Sequence, residues 1–298
     1  PAQAQGSRTA RGLMVTTDGP APVTAAPGHG RAGRDLRAAT AVGLVLAVLV
    51  VGTLFVWKAA FAGLAVVAVA LAVWELSQAL AARGVRVPVV PVLLGSVLMV
   101  VGSYVGGYQT LVVALGLTVV AVLAWRLGDQ APGYVRDVTA GVFAAVYVPF
   151  LAGFAMLLLR PDDGPWRVLT CILVVAASDT GGYLAGVLAG RHPIAPTVSP
   201  KKSWEGFAGS VVACVGVGTL AVVVLLDGRW WAGAVLGAAA VITATLGDLG
   251  ESMIKRDLGI KDMSALLPGH GGIMDRLDSL LPTAPIAWLI LTALVPVT

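Results

Sequence analysis

Long apolar runs broken by short polar stretches set the pattern of this chain. The runs fall at about 38–56, 59–80, 88–104, 108–125, 138–159, 166–188, 207–226, 230–246 and 282–297. Most are ~17–22 residues long, which is what an α-helix needs to cross the ~30 Å hydrocarbon core of a bilayer. A transmembrane β-barrel would instead show alternating segments of about ten residues. Helices also satisfy their backbone groups internally, as lipid demands. The pattern therefore predicts an all-α polytopic integral membrane protein with about nine transmembrane helices. No internal repeat is visible.

Composition agrees. The 298 residues are 57% hydrophobic and 12% charged, with a mean hydropathy of +0.88, whereas soluble domains carry about 25% charged residues. Residues 1–35 break the apolar pattern. They are rich in Ala, Gly, Pro, Arg and Thr and read as a disordered tail in which His29 is solvated. No apolar core follows a short basic start there, so no cleaved signal peptide is expected. Two membrane parts are expected after it, N-terminal helices over 36–137 and a catalytic part over 138–298. Cys171 and Cys214 both lie inside apolar runs and read as small buried hydrophobes, not as a disulfide or a zinc site.

Charge placement gives an orientation. With the N-terminus in the cytoplasm, 16 of the 20 lysines and arginines fall on the cytoplasmic side, and only Lys58, Arg160, Arg167 and Arg229 fall outside. This satisfies the positive-inside rule. It places every polar cluster on the face where nucleotides are, in what reads as the cell (inner or plasma) membrane.

Four clusters carry candidate chemistry. Ser178-Asp179-Thr180-Gly181-Gly182-Tyr183 lies within an apolar run. A carboxylate there either faces a polar cavity or pairs across helices. Ser199-Pro200-Lys201-Lys202-Ser203-Trp204-Glu205-Gly206 lies between runs. Its lysines suit phosphates, and Ser203 is placed to cap the next helix; taken alone, it also reads as an ordinary positive-inside loop. In Gly247-Asp248-Leu249-Gly250-Glu251-Ser252, running to Lys255 and Arg256, a helix would put Asp248, Glu251 and Lys255 on one face, either as a site or as a salt-bridged helix end.

The fourth cluster, Pro268-Gly269-His270-Gly271-Gly272-Ile273-Met274-Asp275-Arg276-Leu277-Asp278, combines glycines that suit an anion nest with two acids at i, i+3. Hard carboxylate ligands beside a phosphate loop suit Mg²⁺. His270 could touch a phosphate, and a structural hydrogen bond is the favoured role. The stretch is neither a Walker A loop nor a dinucleotide fingerprint. Glu75, near the end of the second run, reads as a snorkelling or helix-partner residue.

Ser252-x2-Lys255-Arg256-x4-Lys261-Asp262-x5-Pro268-Gly269-His270-Gly271-Gly272-x2-Asp275-Arg276-x-Asp278 resembles the signature of the phosphatidate cytidylyltransferase (CDP-diacylglycerol synthase) family. The other three clusters resemble that family's remaining polar motifs, in the same order. The likeness covers about 138–298; the first four runs resemble the family in hydropathy alone.

The resemblance implies transfer of the cytidylyl group of CTP to phosphatidic acid with Mg²⁺, in a membrane enzyme that works among lipid and forms a homodimer, with no nucleic-acid partner. It assigns Asp275, Asp248, Lys202 and Arg276 to catalysis. The implied metal ligands are Asp248 and Asp275, then Asp179 and Asp278. Phosphate contacts fall to Ser178, Lys201, Ser203, Lys255, Arg256, Lys261, Gly271, Gly272 and His270. Three other readings stay open on the residues alone. These are a transporter using Asp179 and Glu75, a nucleotidyltransferase or CTP-dependent lipid kinase with another lipid acceptor, and a non-catalytic scaffold.

Overall fold

The computed structural model describes residues 36–128, 131–195, 199–266 and 271–297; the side chains of 36–40, Pro200 and Lys201 lie outside the description, as does the expected tail. The apolar runs fold as helices: α1 (Leu36–Val56), α2 (Lys58–Ala81), α3 (Val89–Gly106), α4 (Tyr108–Leu127), α5 (Tyr134–Ala145), α6 (Leu151–Leu159), α7 (Gly164–Ala189), α8 (Trp204–Leu225), α9 (Trp230–Asp257), α10 (Met274–Leu277) and α11 (Leu280–Leu294). A π-helical turn over Val146–Phe150 joins α5 to α6. Among the described residues eight helical segments are long and apolar enough to cross a membrane, and Ala41–Val56 is a shorter apolar stretch. Large apolar side chains such as Leu94, Val112, Leu117, Val120 and Leu220 face outward, as expected of a surface solvated by lipid.

Local chemistry explains the breaks. Gly107 turns α3 into α4 with no intervening loop; its φ of +79° is open to glycine and rarely to other residues. Pro149 cannot donate to a helical ladder, and the wider π turn contains it without ending the rod. Hydropathy marks where α9 turns polar, near 246, but the helix runs on to Asp257 because its backbone bonding does not depend on side-chain polarity.

Small residues draw the last helices together. A methyl group on Gly181 of α7 would lie 2.5 Å from the Ala213 methyl of α8 and 2.8 Å from the Gly209 carbonyl. A methyl on Gly218 of α8 would lie 2.6 Å from the Gly233 carbonyl of α9. On Gly247 of α9 it would lie 2.3 Å from the Asp278 carbonyl, just before α11. Ser210 donates to the Ser178 carbonyl at 2.6 Å, and Thr243 and Thr283 bond at 3.0 Å. The α7–α8–α9–α11 group is thereby held at backbone contact, and the polar ends of these helices meet.

The opposite end is closed by fixed cations. Arg167 is 2% exposed and donates to Asp163 and to the carbonyls of Leu291, Val295 and Pro296, where α11 ends. Lys58 donates to the Pro161 carbonyl.

Candidate active site

Between α7 and α8 the chain forms a short antiparallel ribbon, β1 (Pro193–Ala195) and β2 (Ser199–Ser203). It is the one piece of sheet among the described residues. Glu205, in the first turn of α8, ties the ribbon down. It accepts from the Arg191 and His192 amides at 3.0 and 3.2 Å and meets His192 Nδ1 at 2.6 Å. Ser203 caps α8 by accepting from the Gly206 amide at 3.1 Å, the role its position predicts. Lys202, the residue before the cap, is therefore fixed at both sides, and its ammonium pairs with Asp248 of α9.

Lys202 and Asp248 stand on the wall of a cavity of about 330 Å³ that also includes Ser178, Asp179, Ser203 and Thr245. This lies within the ~300–1,000 Å³ range of small-molecule sites. Asp278 stands close enough to Asp248 and Asp179 for the three charges to act on one another, and Arg276 acts on Asp179. Three carboxylates from three different segments thus share one region; Lys202 and Arg276 act on Asp179, and Lys255 on Asp278. Gly247 lets the backbone of Asp278 come up against α9.

Asp275, one turn before Asp278, has different surroundings. Its Oδ1 accepts from Lys255 Nζ at 2.7 Å, and its Oδ2 accepts from the Gly272 and Met263 amides at 2.8 and 3.0 Å. Lys255 also reaches Glu251 at 2.5 Å, the i,i+4 partner on α9. The Gly272 amide, expected to cradle a phosphate, is thus given to a carboxylate of the chain itself. Gly271 has a φ of +82°, which lets the backbone turn back over Asp275. Arg256, Lys261 and Arg276 are exposed. His270 and the Lys201 side chain lie outside the described residues.

Sequence reasoning missed two members of this region. Glu75 of α2 is 1% exposed, which excludes snorkelling and bears out the helix-partner reading: it accepts from Ser264 Oγ, the Ile273 amide and the Met274 amide at the start of α10, at 2.6, 3.0 and 2.8 Å. A lone acid in an apolar run was the available signal, but its partners are nearly 200 residues away in the chain. Tyr147, on the π turn, has a buried hydroxyl with no partner among the described residues, and it lies within the influence of Asp248, Glu251 and Asp278. Its position in an apolar run gave no signal.

The donor chemistry fits a hard divalent cation. Asp179, Asp248 and Asp278 offer carboxylate oxygens, and Glu251 Oε1 is buried with no hydrogen-bond partner among the described residues. The acids are not closed into a cage: among the described residues no three metal-binding side chains stand in coordinating array.

Residues 37–294 match the sequence model of a family described as "Cytidylyltransferase family". The chain is 44% identical over 277 residues to a phosphatidate cytidylyltransferase of Mycobacterium bovis, covering 89% of this chain and 90% of that protein. It is 45% identical over 287 residues to one of Mycobacterium leprae, with 89% and 90% covered. A phosphatidate cytidylyltransferase of Haemophilus influenzae is 38% identical over 148 residues, 46% of this chain and 51% of that protein.

Proposed function

The chain belongs to the cytidylyltransferase family, among the phosphatidate cytidylyltransferases, and from that premise we propose that it transfers the cytidylyl group of CTP to phosphatidic acid, releasing CDP-diacylglycerol and pyrophosphate. The observation that carries this reading is the cavity lined by Lys202, Asp179 and Asp248 at the polar ends of apolar helices, with Asp278 and Arg276 near enough for their charges to act on its acids. A membrane lipid can bring a phosphate to such a place while a soluble nucleotide enters from water.

A phosphate monoester is already an oxyanion near neutral pH, so the nucleophile needs little help from a base. An oxygen of the lipid phosphate attacks the α-phosphorus of CTP, forming a new P–O bond. The bond to the bridging oxygen of the β-phosphate breaks, and pyrophosphate leaves with the electron pair. No covalent enzyme intermediate is needed, so Ser178 and Ser203 serve as hydrogen-bonding groups. The obstacle is repulsion between two polyanions, and catalysis of such transfers is mainly positioning and electrostatic.

In this reading Lys202 and Arg276 take phosphate oxygens, and Arg256 and Lys261 are further exposed cations; Lys201 and His270 keep the phosphate roles that the family resemblance gives them. Lys255 holds Asp275 and stands one contact away. Mg²⁺ held by Asp248, Asp278 and Asp179, with Asp275 adjoining, would supply the positive charge that offsets the triphosphate. A short stretch of the lipid's hydrocarbon fits the apolar cavity of about 170 Å³ lined by Phe61, Ala65, Met156, Cys171 and Leu281, which reaches Leu277, the neighbour of Asp278; the rest of the two chains lies between the helices toward the bilayer. The reacting face is the cytoplasmic one, supported by the charge asymmetry between the loops.

The test uses CTP labelled at the α-phosphate with phosphatidic acid in detergent micelles, with and without Mg²⁺. Label should move into the lipid phase only with Mg²⁺ present. Lipid that is labelled from γ-labelled CTP, and not from α-labelled CTP, would replace this reading with a lipid kinase.

A further inference from the structure

Glu75 belongs to none of the four polar clusters, yet its carboxylate is the most completely enclosed acid that reaches them from the N-terminal helices. A buried charge inside a membrane helix is costly and persists where specific donors surround it. Here both oxygens are used. Oε1 accepts from Ser264 Oγ and the Ile273 amide, and Oε2 accepts from the Met274 amide. Charge-assisted bonds of this kind are the stronger hydrogen bonds of proteins. A methyl group on Gly272 would lie 2.6 Å from Glu75 Oε2, so the backbone passes directly over the carboxylate.

A second tie runs from the same helix end. Arg83, just beyond α2, donates from Nε and Nη2 to the Leu258 carbonyl at 2.9 and 2.7 Å, where α9 ends. The strap between α9 and α10 is therefore gripped at its start by Arg83 and at Ser264 and its end by Glu75. The residues fixed at that end immediately precede Asp275, and Asp278 follows one turn later.

We propose that Glu75 is a positioning residue for the transfer reaction: by holding the Ile273 and Met274 amides and the Ser264 hydroxyl, it sets the rotation of the 272–278 turn that sends Asp275 to Lys255 and brings Asp278 near Asp248 and Asp179. The N-terminal helices thereby take part in building the site. The kinetic expectation rests on the cytidylyl-transfer reading; the strap's exposure to protease does not.

The test compares full-length wild type and Glu75→Gln in detergent micelles. An amide keeps the size but offers one acceptor oxygen, and turns an N–H toward donors that need an acceptor. Turnover with CTP and phosphatidic acid should fall about tenfold or more while both KM values stay within about threefold, because the lost alignment is felt in the transition state. Trypsin should cut the exposed Lys261 faster in the variant, by more than its lowered melting temperature accounts for. Unchanged turnover, or a loss that simply follows the unfolded fraction, would overturn the proposal.

If Glu75→Gln does not fold, Ser264→Ala decides. It removes one of the three bonds and should lower turnover about two- to fivefold at constant KM; a folded Ser264→Ala with normal turnover and normal cleavage at Lys261 would overturn the role. A wild type that is inactive with both substrates would instead sink the transferase reading, and the cleavage rates alone would then decide whether Glu75 holds the strap.

Discussion

Asp275 and Asp278 stand one helical turn apart, and their surroundings are opposite. Asp275 is given a lysine ammonium and two backbone amides, so its charge is answered within the protein. Asp278 accepts from the Ser279 amide at 2.6 Å and has no ion pair among the described residues; Asp248 and Asp179, charges of its own sign, act on it more strongly than the cation Lys255. An answered charge builds structure, because removing either partner leaves the other buried and unpaired. Charges set against one another stabilise nothing by themselves and persist where a ligand completes them. The same contrast separates Lys255, held by two acids, from Lys202, which has one acid and stands on the cavity wall. Spacing along the chain makes the two aspartates look like a pair; their environments divide the work between them.

The division can be broken most directly at the acids. Asp248→Asn and Asp278→Asn should each lower turnover by about 10²–10³-fold or more, the scale of losing a preorganised electrostatic group; the melting temperature should hold or rise in Asp278→Asn as repulsion is relieved, and fall slightly in Asp248→Asn, which gives up its partly exposed pair with Lys202. Asp275→Asn should also lose turnover, but by letting the turn move. It breaks a largely buried pair, which costs about 3–5 kcal/mol, so its melting temperature should fall and Lys261 should become open to trypsin. If Asp275→Asn instead kept its melting temperature and protease resistance while losing all turnover, Asp275 would belong with the metal ligands, not with the framework.

Substitutions at Lys202 sharpen the comparison from the cationic side. Lys202→Ala should raise KM for CTP about tenfold to a hundredfold, the equivalent of one charge-assisted contact. Lys202→Arg, which keeps the charge, should cost less. Equal losses in both would argue against a simple phosphate contact.

The smallest effect belongs to the cap. Ser203→Ala should cost about 1 kcal/mol of stability, read as a modest fall in melting temperature in detergent, with a small rise in KM as Lys202 loosens. A loss of turnover as large as that of Asp248→Asn would mean that Ser203 touches substrate.

Much of the architecture follows from the residues alone. Helix propensity and lipid exposure act locally, so apolar length marked most helices of the bundle to within a few residues, α9 running eleven residues past its apolar run, and the polar ends of α7, α9 and α11 with the start of α8 were marked as the chemical region. Ser203 was legible as a cap because its bond closes within three residues. The family, too, is written in the spacing of the polar motifs.

What the sequence could not assign is which of its acids is answered and which is left over. Asp275 and Asp278 are equivalent in spacing, and only packing distinguishes them, through Lys255 on one side and the close approach at Gly247 on the other. Glu75 and Tyr147 entered the site the same way, from helices whose own neighbours are apolar. Helices are specified by residues three or four apart, but the sign and neutralisation of a site are summed over groups brought together across the whole chain, and that sum exists only once the helices have packed.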